Sequence, residues 1–194
     1  VMVLADNSAR AEFVAADLLS QAEHGDDSQA ILVCRTERFA RQVTRAVEEQ
    51  IRYLSRGEAI RNSLANSRIV LFDEEYKQIA FANAYAPEHL IVSMRDAWGI
   101  AAKITAAGSV FIGNYSPESA GDYASGTNHT LPTGGWARAC SGVNVDSFMR
   151  KITFQELTRD GLDALAPAIT AMAEAEGLDA HANAVRVRMK GGIL

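Results

Sequence analysis

Short apolar runs alternate with amphipathic segments along the first two thirds of the chain. Five such runs of four to six residues indicate strands: 1–5, 30–34, 69–72, 89–94 and 109–113. Between them, apolar residues recur at helical spacing, as at Val14, Leu18 and Ala22. Because the runs are apolar throughout, they are typical of strands buried on both faces. The pattern therefore predicts an α/β fold, a Rossmann-like parallel sheet with crossover helices.

The pattern changes after about Val145, where helical periodicity continues without any strand. Two apolar stripes mark this part of the chain: Leu162, Leu165, Ile169 and Met172, then Leu178, His181, Val185 and Met189. Amphipathic helices need a surface on which to pack. We therefore predict an α/β portion over residues 1–143 and a helical tail over residues 144–194, which packs on the core or on a partner subunit.

The composition argues against a nucleic-acid-binding protein and against a membrane-spanning one. A net charge of -5 and a pI near 5.4 argue against nucleic acid as an electrostatic partner. No apolar run approaches the roughly 20 residues of a membrane span, and no signal peptide is recognisable. Cys34 and Cys140 lack metal-type spacing and are predicted to be small buried hydrophobes in a reducing compartment, hence a cytoplasmic location. The first strand starts at Val1 without a methionine, so we expect a fragment of a longer chain.

A stretch rich in glycine and proline, residues 116–138, carries more polar groups than a plain connection needs. Glu118, Asp122, Asn128 and His129 lie in it. The stretch follows the strand predicted at 109–113. Ligands of parallel α/β sheets bind at the carboxyl ends of the strands. The sequence therefore predicts a functional site at that edge of the sheet.

Three groups of residues could carry chemistry, one of them being Asp122 and His129 of the polar stretch. Gln21 and His24 are three apart at a helix end, which places both on one face. Glu88 adjoins His89, and a nearby carboxylate raises an imidazole pKa and suits the pair for acid–base work. Structural readings are open for each: a polar helix terminus for the first pair and an exposed strand entrance for the second. A zinc site needs about four N and O ligands, and no local spacing such as HExxH demonstrates one.

Four segments resemble the histidinol dehydrogenase family: SQAEHG at 20–25, YAPEHL at 85–90, SPESAGDYASGTNHTLPT at 116–133 and EGLDAH at 176–181. They fall in the family's order and span nearly the whole chain. The resemblance implies oxidation of L-histidinol through L-histidinaldehyde to L-histidine, the last steps of histidine biosynthesis. It also implies two NAD per turnover and one zinc ion per subunit.

The resemblance assigns roles residue by residue. Gln21, His24, Asp122 and His181 stand at the positions of the zinc ligands. His89 matches the general base, and Glu88 matches the residue that activates water. The implied substrate contacts are Gln21, His24, His89, Asp122, His129, Glu176 and His181. Family members are homodimers that exchange their C-terminal tails, so Glu176 and His181 are expected to serve the partner's site.

One departure concerns NAD. Family chains extend well beyond this one on the N-terminal side, and that part carries the residues that contact NAD. The chain also lacks a GxGxxG fingerprint after any strand. We therefore expect no complete NAD site and no competent dehydrogenase in this chain alone. Two other functions stay open on the residues: a metal-dependent hydrolase in which Glu88 activates water, and an inactive metal-binding module.

Overall fold

Five parallel strands form one sheet in the order β3-β2-β1-β4-β5. Their bounds are β1 Met2–Ala5, β2 Ile31–Cys34, β3 Arg68–Leu71, β4 His89–Ser93 and β5 Ser109–Ile112. A computed structural model describes residues 1–189, and the sheet belongs to the first of two compact units, Val1–Phe148. Every neighbouring pair is parallel. The predicted Rossmann-like sheet is therefore confirmed.

Helices cover both faces of the sheet. Their bounds are α1 Ala11–Ala22, α2 Glu37–Gln50, α3 Gly57–Leu64, α4 Glu75–Tyr85, α5 Ala97–Ala101 and α6 Glu118–Tyr123. Alternate residues of each strand point to opposite faces. Val3, Leu32 and Ile91 pack with α1 and α2, whereas the intervening strand residues pack with α4 and α5. The helices thus change faces at the β1–β4 pair, as in a doubly wound fold.

Helix starts follow the sequence only in part. Thr36 accepts a hydrogen bond from the Phe39 amide and Asp96 accepts one from Gly99, as N-caps do. Helix α1 has no such cap: the amide and hydroxyl of Ser8 donate to Asp6 Oδ1, and the helix starts three residues later at Ala11. Helix α5 is short and ends at Ala101, although its apolar pattern continues to Ala107. These differences shift helix ends and leave the order of elements unchanged.

Two burial expectations are wrong. Edge strand β3 exposes Ile69 and Leu71, because β2 pairs with only one of its sides and, within residues 1–189, no helix covers these two residues. Cys34 is buried as expected, but Cys140 is exposed in the segment after α6. Among the described residues, no helix is both long and apolar enough to cross a bilayer.

The second unit begins at Met149 and contains two helices, α7 Arg159–Ala175 and α8 Asp179–Met189. They pack against each other, and Glu174 pairs with Arg186 between them. On α7, Leu165 and Met172 of the predicted stripe are exposed, whereas Ala166 and Ala173 are buried; the packing of the stripe on the core or on a partner stays a prediction. The small side chains of these alanines allow α7 and α8 to approach closely.

Helix α6 depends on a glycine at its contact with the sheet. A Cβ on Gly121 would lie 2.5 Å from Cε1 of Phe111 and 2.7 Å from Oγ1 of Thr127. Both distances are shorter than any relaxed contact, so only glycine fits without a shift. The Gly121–Phe111 contact therefore fixes the distance between α6 and β5.

We predict that Gly121→Ala lowers the free energy of unfolding by about 1–3 kcal/mol, the usual cost of overpacking. Urea denaturation of parent and variant measures the change. Ser119→Ala on the exposed side of the same helix is the matched control and should shift the midpoint little. Equal midpoints for Gly121→Ala and the parent would show that α6 is not held at this contact.

Candidate functional site

A cavity of about 520 Å³ lies at the amino-terminal edge of the sheet. It is lined by Gln21, His24, Glu88, His89, Glu118, Asp122, Tyr123 and His129. Six of these are site residues proposed from the sequence; Glu118 and Tyr123 are additional. The expected location at the carboxyl edge is wrong, because α6 leads the chain back from the end of β5 to the start of β4.

The end of α1 supplies Gln21 and His24. Gln21 lies in the last turn, and its Oε1 accepts a hydrogen bond from the Val1 amino group at 2.9 Å. The backbone amide of His24 donates to the Gln21 carbonyl, which turns the chain just beyond the helix. A helix C-terminus carries partial negative charge from its free carbonyls. This end of α1 therefore favours a cation.

Glu88 and His89 are held by the backbone at the start of β4. Ala86 closes α4 in the left-handed conformation (φ 54°), and Pro87 follows. The amides of Gly108 and Ser109 donate to the Pro87 and Glu88 carbonyls at 3.0 and 2.9 Å. A Cβ on Gly108 would lie 2.5 Å from the Glu88 carbonyl oxygen. Glycine at 108 thus permits the close pairing that fixes the Glu88–His89 backbone.

Helix α6 brings two carboxyl groups to the same cavity. Glu118 and Asp122 are four residues apart and therefore share a helix face. Glu118 is only 2% exposed. Sequence reasoning noticed Glu118 in the polar stretch but gave it no role. The i,i+4 spacing of Glu118 and Asp122 is the available signal, but the stretch lacks the apolar periodicity that predicts a helix.

The imidazole of His89 lies among three carboxyl groups. Its Nδ1 is 3.6 Å from Glu118 Oε1 and 4.0 Å from Glu88 Oε2, while its Nε2 is 3.9 Å from Asp122 Oδ1. Burial lowers the pKa of His89 to about 4, so the ring is neutral near pH 7. Burial, assisted by the Asp122 charge, raises the pKa of Glu118 to about 7. Burial also raises the pKa of Glu88.

The donor set suits a divalent metal. Ligand atoms of His24, Glu118 and Asp122 all lie within 4.8 Å of one another. Within residues 1–189, neither ring nitrogen of His89 nor Oε2 of Glu118 has a hydrogen-bond partner. Buried polar atoms without partners are costly, and a cation bound among these carboxylates would offset part of that cost. Imidazole and carboxylate ligands are those that Zn²⁺ accepts.

Glu176 and His181 lie in the second unit. Glu176 is the residue after α7, His181 is in the first turn of α8, and both are exposed. Their proposed contacts with substrate and metal stay predictions. The structure brings together Gln21, His24, Asp122, His129 and the Glu88–His89 pair, all from the first unit.

We predict that His24→Ala and Asp122→Ala each lower the affinity of the chain for Zn²⁺ at least about tenfold, or about 1.4 kcal/mol. Each removes one donor from a set of few. Titration calorimetry at constant pH measures the affinity. Asp73→Ala, which removes an exposed carboxylate beyond the opposite end of the sheet, is the control. Unchanged affinity in both site variants would rule out this ligand set.

Asp17 on α1 predicts a pH dependence of stability. Burial raises its pKa from the ordinary 3.8 to about 7. Between these values the folded chain holds a proton that the unfolded chain has lost, so stability falls as pH rises from about 4 to about 7. Asp17→Asn should reduce this fall, measured by urea midpoints at pH 4.5 and 8. The exposed Asp26→Asn should not, and equal slopes for both variants would contradict the prediction.

Comparisons with known proteins identify the family of the chain. The family model described as histidinol dehydrogenase matches residues 1–189. The chain is 57% identical over 190 residues to a histidinol dehydrogenase of Bacteroides fragilis, and 50% identical over 189 residues to one of Legionella pneumophila. These matches cover 98% and 97% of this chain and 44% of each relative.

A solved structure gives the same result. The crystal structure of histidinol dehydrogenase from Elizabethkingia anophelis matches with a TM-score of 0.92 and 55% identity, over 97% of this chain and 44% of that one. The chain thus spans less than half the length of the relatives it matches. Within that span both sequence and fold agree, and the chain belongs to the histidinol dehydrogenase family.

Proposed function

We propose that this chain supplies the metal-binding and acid–base residues of an enzyme that oxidises L-histidinol through L-histidinaldehyde to L-histidine. The observation that carries the proposal is the neutral, buried His89 beside Glu88, in one cavity with the His24–Glu118–Asp122 donor set. Family membership supplies the reaction. A dehydrogenase of this kind belongs to histidine biosynthesis.

Gln21, His24 and Asp122 would hold zinc, with His181 as the fourth ligand. When bound, zinc orients the substrate and NAD accepts the hydride. The zinc-binding set lies beside His89, so a substrate held there would bring its hydroxyl to the imidazole. His129 lines the same cavity and is proposed to contact the substrate, together with Glu176.

His89 is proposed to take the hydroxyl proton of histidinol as hydride leaves the adjacent carbon. Because burial keeps its pKa near 4, the ring is unprotonated at neutral pH and a nitrogen is free to accept. Its Nε2 points towards Asp122, on the side where substrate would bind, whereas Nδ1 faces the two glutamates.

Glu88 is proposed to act in the second oxidation. It would take a proton from water as the water oxygen bonds to the aldehyde carbon, and a second NAD, when bound, would accept the hydride that then leaves that carbon. Burial raises the pKa of Glu88, which strengthens the carboxylate as a base. Its side chain is partly open, so water can reach it.

The partner is proposed to be a second copy of the same protein, with tails exchanged so that Glu176 and His181 complete the other subunit's site. The amphipathic character of α7 and α8 supports this, since Met172 and Leu178 are exposed. The residues that contact NAD are proposed to lie outside the 44% of the family length that this chain covers. A cytoplasmic location remains part of the proposal.

We predict that His89→Asn, in a protein of family length that carries this sequence, lowers the rate of NADH formation from histidinol by about 10²–10⁴-fold. The base is lost while the proposed ligands stay. Absorbance of NADH follows the rate, and metal analysis checks the zinc content, which should stay near one per subunit. Loss of zinc would instead make His89 a ligand. If the parent protein forms no NADH from histidinol, the proposed function is wrong.

A further inference from the structure

Glu118 is the most buried charged side chain at the site, and beyond its place in the candidate donor set it has no part in the proton transfers proposed above. It opens α6, is 2% exposed, and its Oε2 has no hydrogen-bond partner within residues 1–189. Its other oxygen lies 3.6 Å from Nδ1 of His89. A carboxyl group kept from water at this cost is expected to act on a neighbouring group.

The two nitrogens of His89 face different surroundings. Nδ1 faces Glu118 and Glu88, and Nε2 faces Asp122. The ring also lies beside Phe111, with ring centroids 6.0 Å apart. Because a neutral imidazole carries one proton, the group that accepts from one nitrogen decides which nitrogen keeps a free lone pair.

We propose that Glu118 is a positioning residue that accepts a hydrogen bond from Nδ1–H of His89 and so leaves the Nε2 lone pair towards the substrate side. The expected effect on the rate of histidinol oxidation rests on the proposed function, whereas the expected tautomer of His89 does not. At 3.6 Å the pair is longer than a normal hydrogen bond. Catalytic hydrogen bonds are often long before substrate binds and tighten in the complex.

Glu88 is the competing acceptor, and three observations favour Glu118. Glu118 is nearer to Nδ1, by 3.6 against 4.0 Å. Its side chain is 2% exposed, against 28% for Glu88. Helix α6 is fixed on Phe111 through Gly121, so Glu118 has little freedom to move away. A buried, fixed acceptor orients a ring better than a partly solvated one.

The other role open to Glu118 is metal ligation, since its oxygens lie near those of His24 and Asp122. The two roles differ in what removal of the carboxylate does. A ligand's loss lowers zinc content and leaves the His89 tautomer unaffected. A positioning residue's loss changes the tautomer and the rate at constant zinc.

The test uses the zinc-loaded, family-length protein with ¹⁵N-labelled histidine. Ring-nitrogen chemical shifts identify the tautomer, and His89→Asn assigns the signal. We expect the parent to show protonated Nδ1 and bare Nε2. Glu118→Leu should mix the tautomers and lower kcat by about 10²-fold with KM and zinc content within about twofold. Glu118→Gln, whose amide oxygen still accepts, should recover part of both readouts and serves if the Leu variant does not fold.

Two matched variants complete the design. Glu88→Gln should leave the tautomer unchanged, and Glu58→Gln, an exposed carboxylate on α3, should change neither readout. The proposal is wrong if both Glu118 variants lose zinc. It is also wrong if Glu118→Leu leaves the tautomer of His89 unchanged or if Glu88→Gln changes it. If the parent protein does not oxidise histidinol, the proposed function is wrong. The ¹⁵N shifts of His89 would still show whether Glu118 determines its tautomer.

Discussion

The contact between α6 and β5 is the constraint on which the site depends. Gly121 lies against the ring of Phe111, and no larger residue fits there. Phe111 in turn lies beside His89, because β5 pairs with β4 in a register that aligns Ser109 with His89. The helix that carries Glu118 and Asp122 is thereby set at one distance from the imidazole. If α6 moved outward, Glu118 and Asp122 would both move away from the imidazole of His89.

The edge of the sheet at which the site lies agrees with its chemistry. In a parallel sheet the crossover helices begin near the carboxyl edge and end near the amino edge. Helices α1 and α4 both end at the amino edge, directly before β2 and before Glu88. Helix C-termini favour cations, whereas helix N-termini favour phosphates. A metal-binding set at the amino edge therefore has the backbone charge that suits it.

Much of the fold and six of the eight cavity-lining residues could be predicted from the sequence, whereas helix α6 and the burial of Glu118 could not. Buried strands such as 89–93 are recognisable as short, mostly apolar runs. The start of α2 is recognisable from Thr36, whose hydroxyl caps the helix. Helix α6 escaped prediction because it has six residues, includes a glycine and lacks periodicity. The proximity of Gln21 to His24 follows from helix geometry. Their proximity to Asp122 depends on packing over about 100 residues of chain, which no local pattern encodes.

The burial of Glu118 illustrates a more general limit. A glutamate in a polar, glycine-rich stretch is ordinarily exposed, so composition argues against its actual environment. Places where local rules fail in this way are expected to be functional sites, since the cost must be offset elsewhere. Here the cost is a group of three carboxyls, Glu88, Glu118 and Asp122, around one neutral imidazole. A ligand that binds only the folded state stabilises it by about 2.7 kcal/mol at a hundred times its dissociation constant. A divalent cation bound here would therefore both stabilise the folded chain and supply the charge that the proposed reaction needs. The same carboxyl groups serve both purposes, so a substitution that affects one is expected to affect the other.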